Sequence, residues 1–308
     1  MTRSLCVIGF HNVLFSAATR CAMIVAVSLL GAGCGFVDAS RAADVVEQTA
    51  LRSAVASVAD SVVQINAIGG LDQSGSREIA AGPTSGLIVR EDGYLVASAY
   101  GFAQRPSSVL VRLPDGSQAQ AQVVGKDDSR MLMLLKVEHP KPLPTVEATP
   151  LEAVEPGMAA AAVGRVFRAD RVNIAFGIVS QLGRMQNRAV QTDAACSAAN
   201  YGGALVDLWG RVIGVVIPMS PQSSRGEIDE LAGAEFYDSG IGFAVPLEHV
   251  KSILPRWIKE GDLHRGLLGI GMVDGNEQLL AAEITTVWPE SPAAEAGLEA
   301  GDRIVAVD

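Results

Sequence analysis

Charge, aromatic side chains, histidine and cysteine are all scarce in this chain, and each scarcity excludes something. Charged residues make up 19% of the 308 positions, below the ~25% usual for soluble domains. The balance is acidic, 24 Lys and Arg against 34 Asp and Glu for a net charge of −10. A surface that wraps a phosphate backbone must be cationic, so nucleic acid is excluded as a partner. With 49% apolar residues and a mean hydropathy of +0.28, a largely disordered chain is excluded too. Three of the four cysteines, Cys6, Cys21 and Cys34, fall near the start, which leaves Cys196 alone in the body and no internal disulfide framework. A chain of this length needs no such staple, since two domains of ordinary size can each bury a core. No cluster of ligand-type residues suggests a metal, and no motif suggests a cofactor.

Long hydrophobic runs are missing as well. The apolar stretch from Cys21 to Gly33 has 13 residues, short of the ~20 that a spanning helix requires. With Arg3 and Arg20 ahead of it, residues 1–42 read as a secretory signal. Its LLGAGC segment resembles a bacterial lipoprotein processing site that would place a lipid, and so a membrane tether, on Cys34. The alternative is ordinary cleavage near VDA or SRA, ending at Ala39 or Ala42.

Leu51, Val55, Val58 and Val62 recur at helical spacing and predict a short amphipathic helix over 43–58. Short runs rich in Val, Ile and Leu follow at 61–68, 85–90, 94–99, 108–113, 119–125 and 131–137, parted by the turn signals EDG, PDG and KDD. A Pro-rich interval at 139–150 interrupts them. Similar runs resume at 158–164, 172–184, 188–192, 203–208, 211–218 and 240–246. Two β units with almost no helix between their strands predict an all-β fold of barrels or a sandwich. A helix is expected over 247–261, kinked or split at Pro255.

Five segments together resemble the HtrA/Deg family of trypsin-like serine proteases with a PDZ domain. They are SGLIVREDGYLVAS (85–98), GKDDSRMLMLLKV (125–137), AFGIVSQLGR (175–184), QTDAACSAANYGGALVDLWGRVIGV (191–215) and GIGFAVP (240–246). The resemblance implies a chymotrypsin-like double antiparallel β-barrel over 59–262, ending in a helix, with catalytic groups in the cleft between barrels. It also implies where the catalytic triad would lie. The family's His falls on Tyr100, its Asp on Met131, and the Ser of its GNSGG turn on Tyr201.

None of these replacements suits the chemistry, which needs a small hydroxyl nucleophile, an imidazole base and a carboxylate to orient the imidazole. The four histidines, His11, His139, His249 and His264, all lie away from the strand end that would aim a base into the cleft. Ser98 and Ser197 lie near the relevant turns but lack a base. Cys196, in the apolar setting AACSAAN, reads as an inert buried thiol. In the oxyanion turn, Ala198 and Ala199 stand where the family has Pro and Gly, while Asn200, Gly202 and Gly203 persist.

GLLGIGM (266–272) resembles the carboxylate-binding loop of an HtrA-type PDZ domain, and SPAAEAGLEAGDRIVAVD (291–308) resembles its middle. Leu267, Leu268, Gly269 and Ile270 would then bind a peptide added as a strand. The unit over 263–308 is expected to be the N-terminal, truncated part of such a domain. The expectation is therefore an exported, periplasmic or envelope HtrA/Deg-like protein without peptidase activity. It would bind unfolded or C-terminal polypeptide segments, serve envelope protein quality control, and assemble as a homotrimer or with active relatives. Two alternatives stand beside it: an active serine endopeptidase using non-standard groups, and a structural envelope protein.

Overall fold

A computed structural model describes residues 39–69, 83–103, 106–218, 240–264, 266, 268–272 and 282–306, with side-chain surroundings from Gln48 onward. His11, Cys6, Cys21, Cys34, Leu267 and most of the leader lie outside the described residues. The chain divides into two compact units, Met1–Ala50 and Leu51–Asp308. Helix α1 is Ala39–Ala59, so its first turn falls within the stretch read as leader. In the second unit this helix buries Ala54, Val55 and Val58, a spacing that puts them on one face.

Twelve strands close into two six-stranded antiparallel barrels, which is the chymotrypsin-like double barrel. The first contains β1 (Val62–Ile68), β2 (Thr84–Ile88), β3 (Tyr94–Ser98), β4 (Ser108–Arg112), β5 (Gln118–Asp127) and β6 (Leu132–Val137), in the order β1-β2-β3-β6-β5-β4. The second contains β7 (Ala159–Arg168), β8 (Arg171–Gly183), β9 (Ala189–Thr192), β10 (Ala204–Asp207), β11 (Val212–Ile217) and β12 (Gly242–Pro246), in the order β10-β11-β12-β9-β8-β7.

The strand sequences explain three separate cores. On β4, Val109 and Val111 point into the first barrel while Ser108, Leu110 and Arg112 alternate outward. Strand β11 is buried along its whole length because both its faces are covered. Ile213 and Val216 fill the second barrel, and Val212, Val215 and Ile217 join the core between the barrels. The Pro-rich interval lies along β11, with Thr149 N donating to the Val212 carbonyl at 2.9 Å.

Helix α2 (Leu247–Glu260) seals the inter-barrel core with Leu247, Val250, Leu254 and Trp257. The sequence predicts a kink or split at Pro255, but α2 is one helix with Pro255 inside it. Pro255 is on the exposed face, where the carbonyl it leaves unpaired can be hydrated, and the buried stripe holds the turns together. After α2, the chain forms a two-stranded sheet of β13 (Ile270–Met272) and β14 (Ile284–Val287), then helix α3 (Pro292–Glu295) capped by Ser291.

Candidate functional site

The end of β3 enters a short 3-10 helix, Ala99–Phe102, in which the Ser98 hydroxyl accepts from Tyr100 N at 3.3 Å. Ala99 N donates to the Met131 carbonyl at 2.8 Å, which ties this turn to the start of β6. Met131 has φ 55°, a left-handed conformation uncommon for a residue with a Cβ, and its side chain is buried in the first barrel's core.

Tyr201 occupies the turn before β10, and only 4% of its surface is exposed. Its ring packs in the second barrel's core and meets the Tyr100 ring edge-on, with centroids 5.5 Å apart and planes at 76°. Its carbonyl accepts from Ser85 N at 3.3 Å and Thr84 Oγ1 at 3.2 Å, both from β2 of the first barrel. The fold thus brings Tyr100 and Tyr201 into ring contact, and joins Met131 to the pair through the backbone.

The turn around Tyr201 is held by bonds within it and by bonds to neighbouring strands. Ala199 N donates to Ser197 Oγ at 3.3 Å. Asn200 N and Tyr201 N donate to the Ser197 carbonyl at 2.8 and 3.2 Å. Gly202 N reaches the Val216 carbonyl at 2.7 Å, and Gly203 N the Asn200 carbonyl at 2.8 Å. The Ala199 carbonyl accepts from Ser85 Oγ and Asn173 Nδ2, both at 3.2 Å, and Asn200 Nδ2 donates to the Ala162 carbonyl at 3.2 Å. Gly202, at φ 82°, is needed because a Cβ there would collide with the Ser85 carbonyl. Ala199 has no such requirement, since it is not among the residues at positive φ.

Among the described residues, Cys196 shares the second barrel's core with Tyr201, and the three histidines lie on other elements. Burial pushes the Cys196 thiol up to about 12. His139 Nε2 is 3.3 Å from Asp115 Oδ2, and His249 lies on α2. His264, with its side chain 73% exposed, is 3.6 Å from Asp128 Oδ2. The sequence reading missed the residues that hold the turn from outside it: Thr84, Ser85, Asn173 and Arg165. Arg165 N donates to Ser85 Oγ at 2.8 Å. A buried Arg in a strand is the one signal that could have drawn attention to this support.

In the C-terminal unit, Gly269 has φ 80°, and a Cβ there would collide with Ser291. The Leu268 carbonyl accepts from Ala293 N, and the Gly269 carbonyl from Trp288 N, each at 2.9 Å. Leu268 is exposed and Ile270 begins β13.

Comparison with known proteins gives the class first. A trypsin-like peptidase domain matches residues 84–215 and a PDZ domain matches 283–308, so this is a chymotrypsin-type double-barrel protein carrying PDZ sequence. The chain is 33% identical over 241 residues to the periplasmic serine endoprotease DegP of Escherichia coli, covering 73% of this chain and 48% of DegP. It is 30% identical over 239 residues to the serine endoprotease DegS of Escherichia coli, covering 73% of this chain and 64% of DegS. Among solved structures it resembles the HtrA-type protease AlgW with a tripeptide, at TM-score 0.65 and 28% identity over 82% of this chain and 81% of that one. The serine endoprotease from Yersinia pestis gives TM-score 0.60 and 26% identity over 81% and 79%. The chain belongs to the HtrA/Deg family. It spans about half the length of the DegP relatives it matches.

Proposed function

We propose that this chain is a proteolytically inactive HtrA/Deg homologue of the bacterial envelope that binds polypeptide segments instead of cutting them. Tyr201 carries this reading. If it occupies the nucleophile position, a phenol with its ring 4% exposed and packed against Tyr100 replaces the small hydroxyl and imidazole that acyl transfer needs. Met131, at the position of the orienting carboxylate, can neither accept the imidazole proton nor offset its charge. The backbone N–H bonds of Ala199, Asn200, Tyr201, Gly202 and Gly203 to other protein groups support the same reading. An oxyanion hole needs N–H groups aimed at the developing charge, and these are already used.

In this proposal residues 1–42 are an export leader, with lipid on Cys34 tethering the protein if the lipoprotein site is used. Residues 59–262 are the inactive double barrel, and 263–308 belong to a PDZ unit whose loop Leu267, Leu268, Gly269 and Ile270 receives a peptide. The periplasmic naming of the DegP relatives supports the envelope location. Homotrimers, or mixed assemblies with active relatives, would give it a place in protein quality control.

The test is fluorescein-labelled unfolded casein titrated with the full chain, followed by anisotropy and by release of small fragments. Saturable binding without fragments is expected. Fragment release that is lost when a single serine is changed favours the endopeptidase alternative, and neither binding nor cleavage favours the structural one.

A further inference from the structure

A second cleft, of about 680 Å³, opens between the barrels. Its walls are the segment after α1, the turn following β4, and the hairpin that joins β7 to β8. Neither Tyr100, Met131 nor Tyr201 lines it. Three arginines and three carboxylates do: Arg112, Arg165 and Arg171 with Asp60, Asp115 and Asp170.

Two of the three carboxylates are held by neighbouring groups, and the third, Asp60, is near enough for its charge to act on Arg165. Asp115 Oδ1 accepts from Ser117 N at 2.9 Å and Ser117 Oγ at 2.6 Å, while its Oδ2 faces His139. These bonds, the Ser117 hydroxyl's foremost, hold its carboxyl down at about 2. Asp170 is gripped by Arg168 Nε and Nη2, both at 2.9 Å. Arg165 is only 8% exposed, yet its three acceptors are neutral carbonyls: Val62 from Nε at 2.7 Å, Ala169 from Nη1 and Ala59 from Nη2 at 2.6 Å. A guanidinium has five N–H donors, so one on Nη1 and one on Nη2 are left over. Burial pulls its pKa below the ordinary value, opposed by the charges of Asp60 and Asp170. Arg112 Nε is buried with no hydrogen-bond partner. A desolvated donor left unmade is costly, and a bidentate carboxylate is the group that best fills a guanidinium fork.

We propose that this cleft is a binding site for a single carboxylate, held by Arg112 and Arg165, with Arg171 at the rim. Arg171 is 76% exposed and its Nε lies 3.9 Å from Asp170, which suits an outer contact. The three carboxylates of the cleft oppose a polyanion, so one negative charge is selected over a di- or triphosphate. The carboxylate can arrive as a small free acid or as an acidic side chain on a peptide, because both present the same fork.

The test uses the full 15N-labelled chain with two probes: acetate, and an acetylated and amidated peptide carrying one Glu. Saturable shifts of the Arg112 Nε–H resonance with either probe are expected. Saturation by acetate with no gain from the peptide identifies a small acid as the natural class, and clearly tighter peptide binding identifies a polypeptide. Arg112→Gln should weaken binding by at least about tenfold, since it removes the fork and the charge together. Pyrophosphate should bind more weakly than acetate. Failure of both probes to saturate, or unchanged affinity in a folded Arg112→Gln variant, overturns the site. The resonance of the unaltered protein decides the matter if that variant does not fold. This outcome is independent of whether the chain cleaves casein.

Discussion

The ring of Tyr201 meets the ring of Tyr100 edge-on across 5.5 Å, and the pair joins the core of the second barrel to the turn at the end of β3. An edge-to-face contact of this kind adds about 0.5–1.5 kcal/mol to the burial of the rings themselves. Tyr201 is thus packed as core, with the half-buried ring of Tyr100 against it.

On the proposed reading, Tyr201→Ser alone should restore no hydrolysis, because Tyr100 and Met131 supply neither a base nor an orienting carboxylate to the new hydroxyl. The same change removes a buried ring and should cost about 2–4 kcal/mol of stability. Casein turnover and a urea melt check the two halves separately. A large gain in turnover would show that a base had been overlooked.

Arg165→Met should destabilise by about 2–4 kcal/mol, since it strands the carbonyls of Ala59, Val62 and Ala169. That corresponds to a fall in Tm of roughly 5–10 °C. Arg165→Lys should not recover it, because one ammonium cannot reach three carbonyls from the guanidinium's geometry.

Pro255→Ala should stabilise. A proline inside a helix costs about 3 kcal/mol relative to alanine, the stiffer unfolded chain already included, so a gain of up to about 3 kcal/mol is expected. A higher urea midpoint with an unchanged slope would meet the expectation, and a lower midpoint would mean that the proline ring packs usefully.

Cys196 should resist iodoacetamide at pH 8 in the folded protein and react once urea is added, because burial lifts its thiol from 9.0 to about 12. The linkage has a definite sign. Between those values the unfolded thiol has lost its proton while the folded one keeps it, so stability falls as pH rises above about 9. Cys196→Ala should remove that part of the alkaline slope, as read by urea midpoints at pH 8 and 10.

Much of this architecture was legible because its strands are short apolar runs fenced by Gly, Asp and Pro. The sequence places a run over 131–137, and β6 is Leu132–Val137; Met131 belongs to the preceding turn, in a left-handed conformation that apolarity alone does not reveal. At Pro255 local propensity was overruled by tertiary burial of Leu254 and Trp257 on the opposite face. The outside support of the 199–203 turn was hidden for another reason. Its partners Ser85, Asn173 and Val216 come from three different strands, and no local pattern announces contacts so distant in sequence.

The most direct measurement is reaction of the full chain with a fluorophosphonate probe, read by mass spectrometry, with an active HtrA-type protease as the positive control. The account predicts no serine or tyrosine labelled above the level of the heat-denatured chain. Stoichiometric labelling of one residue in the folded protein, lost on denaturation, would contradict it.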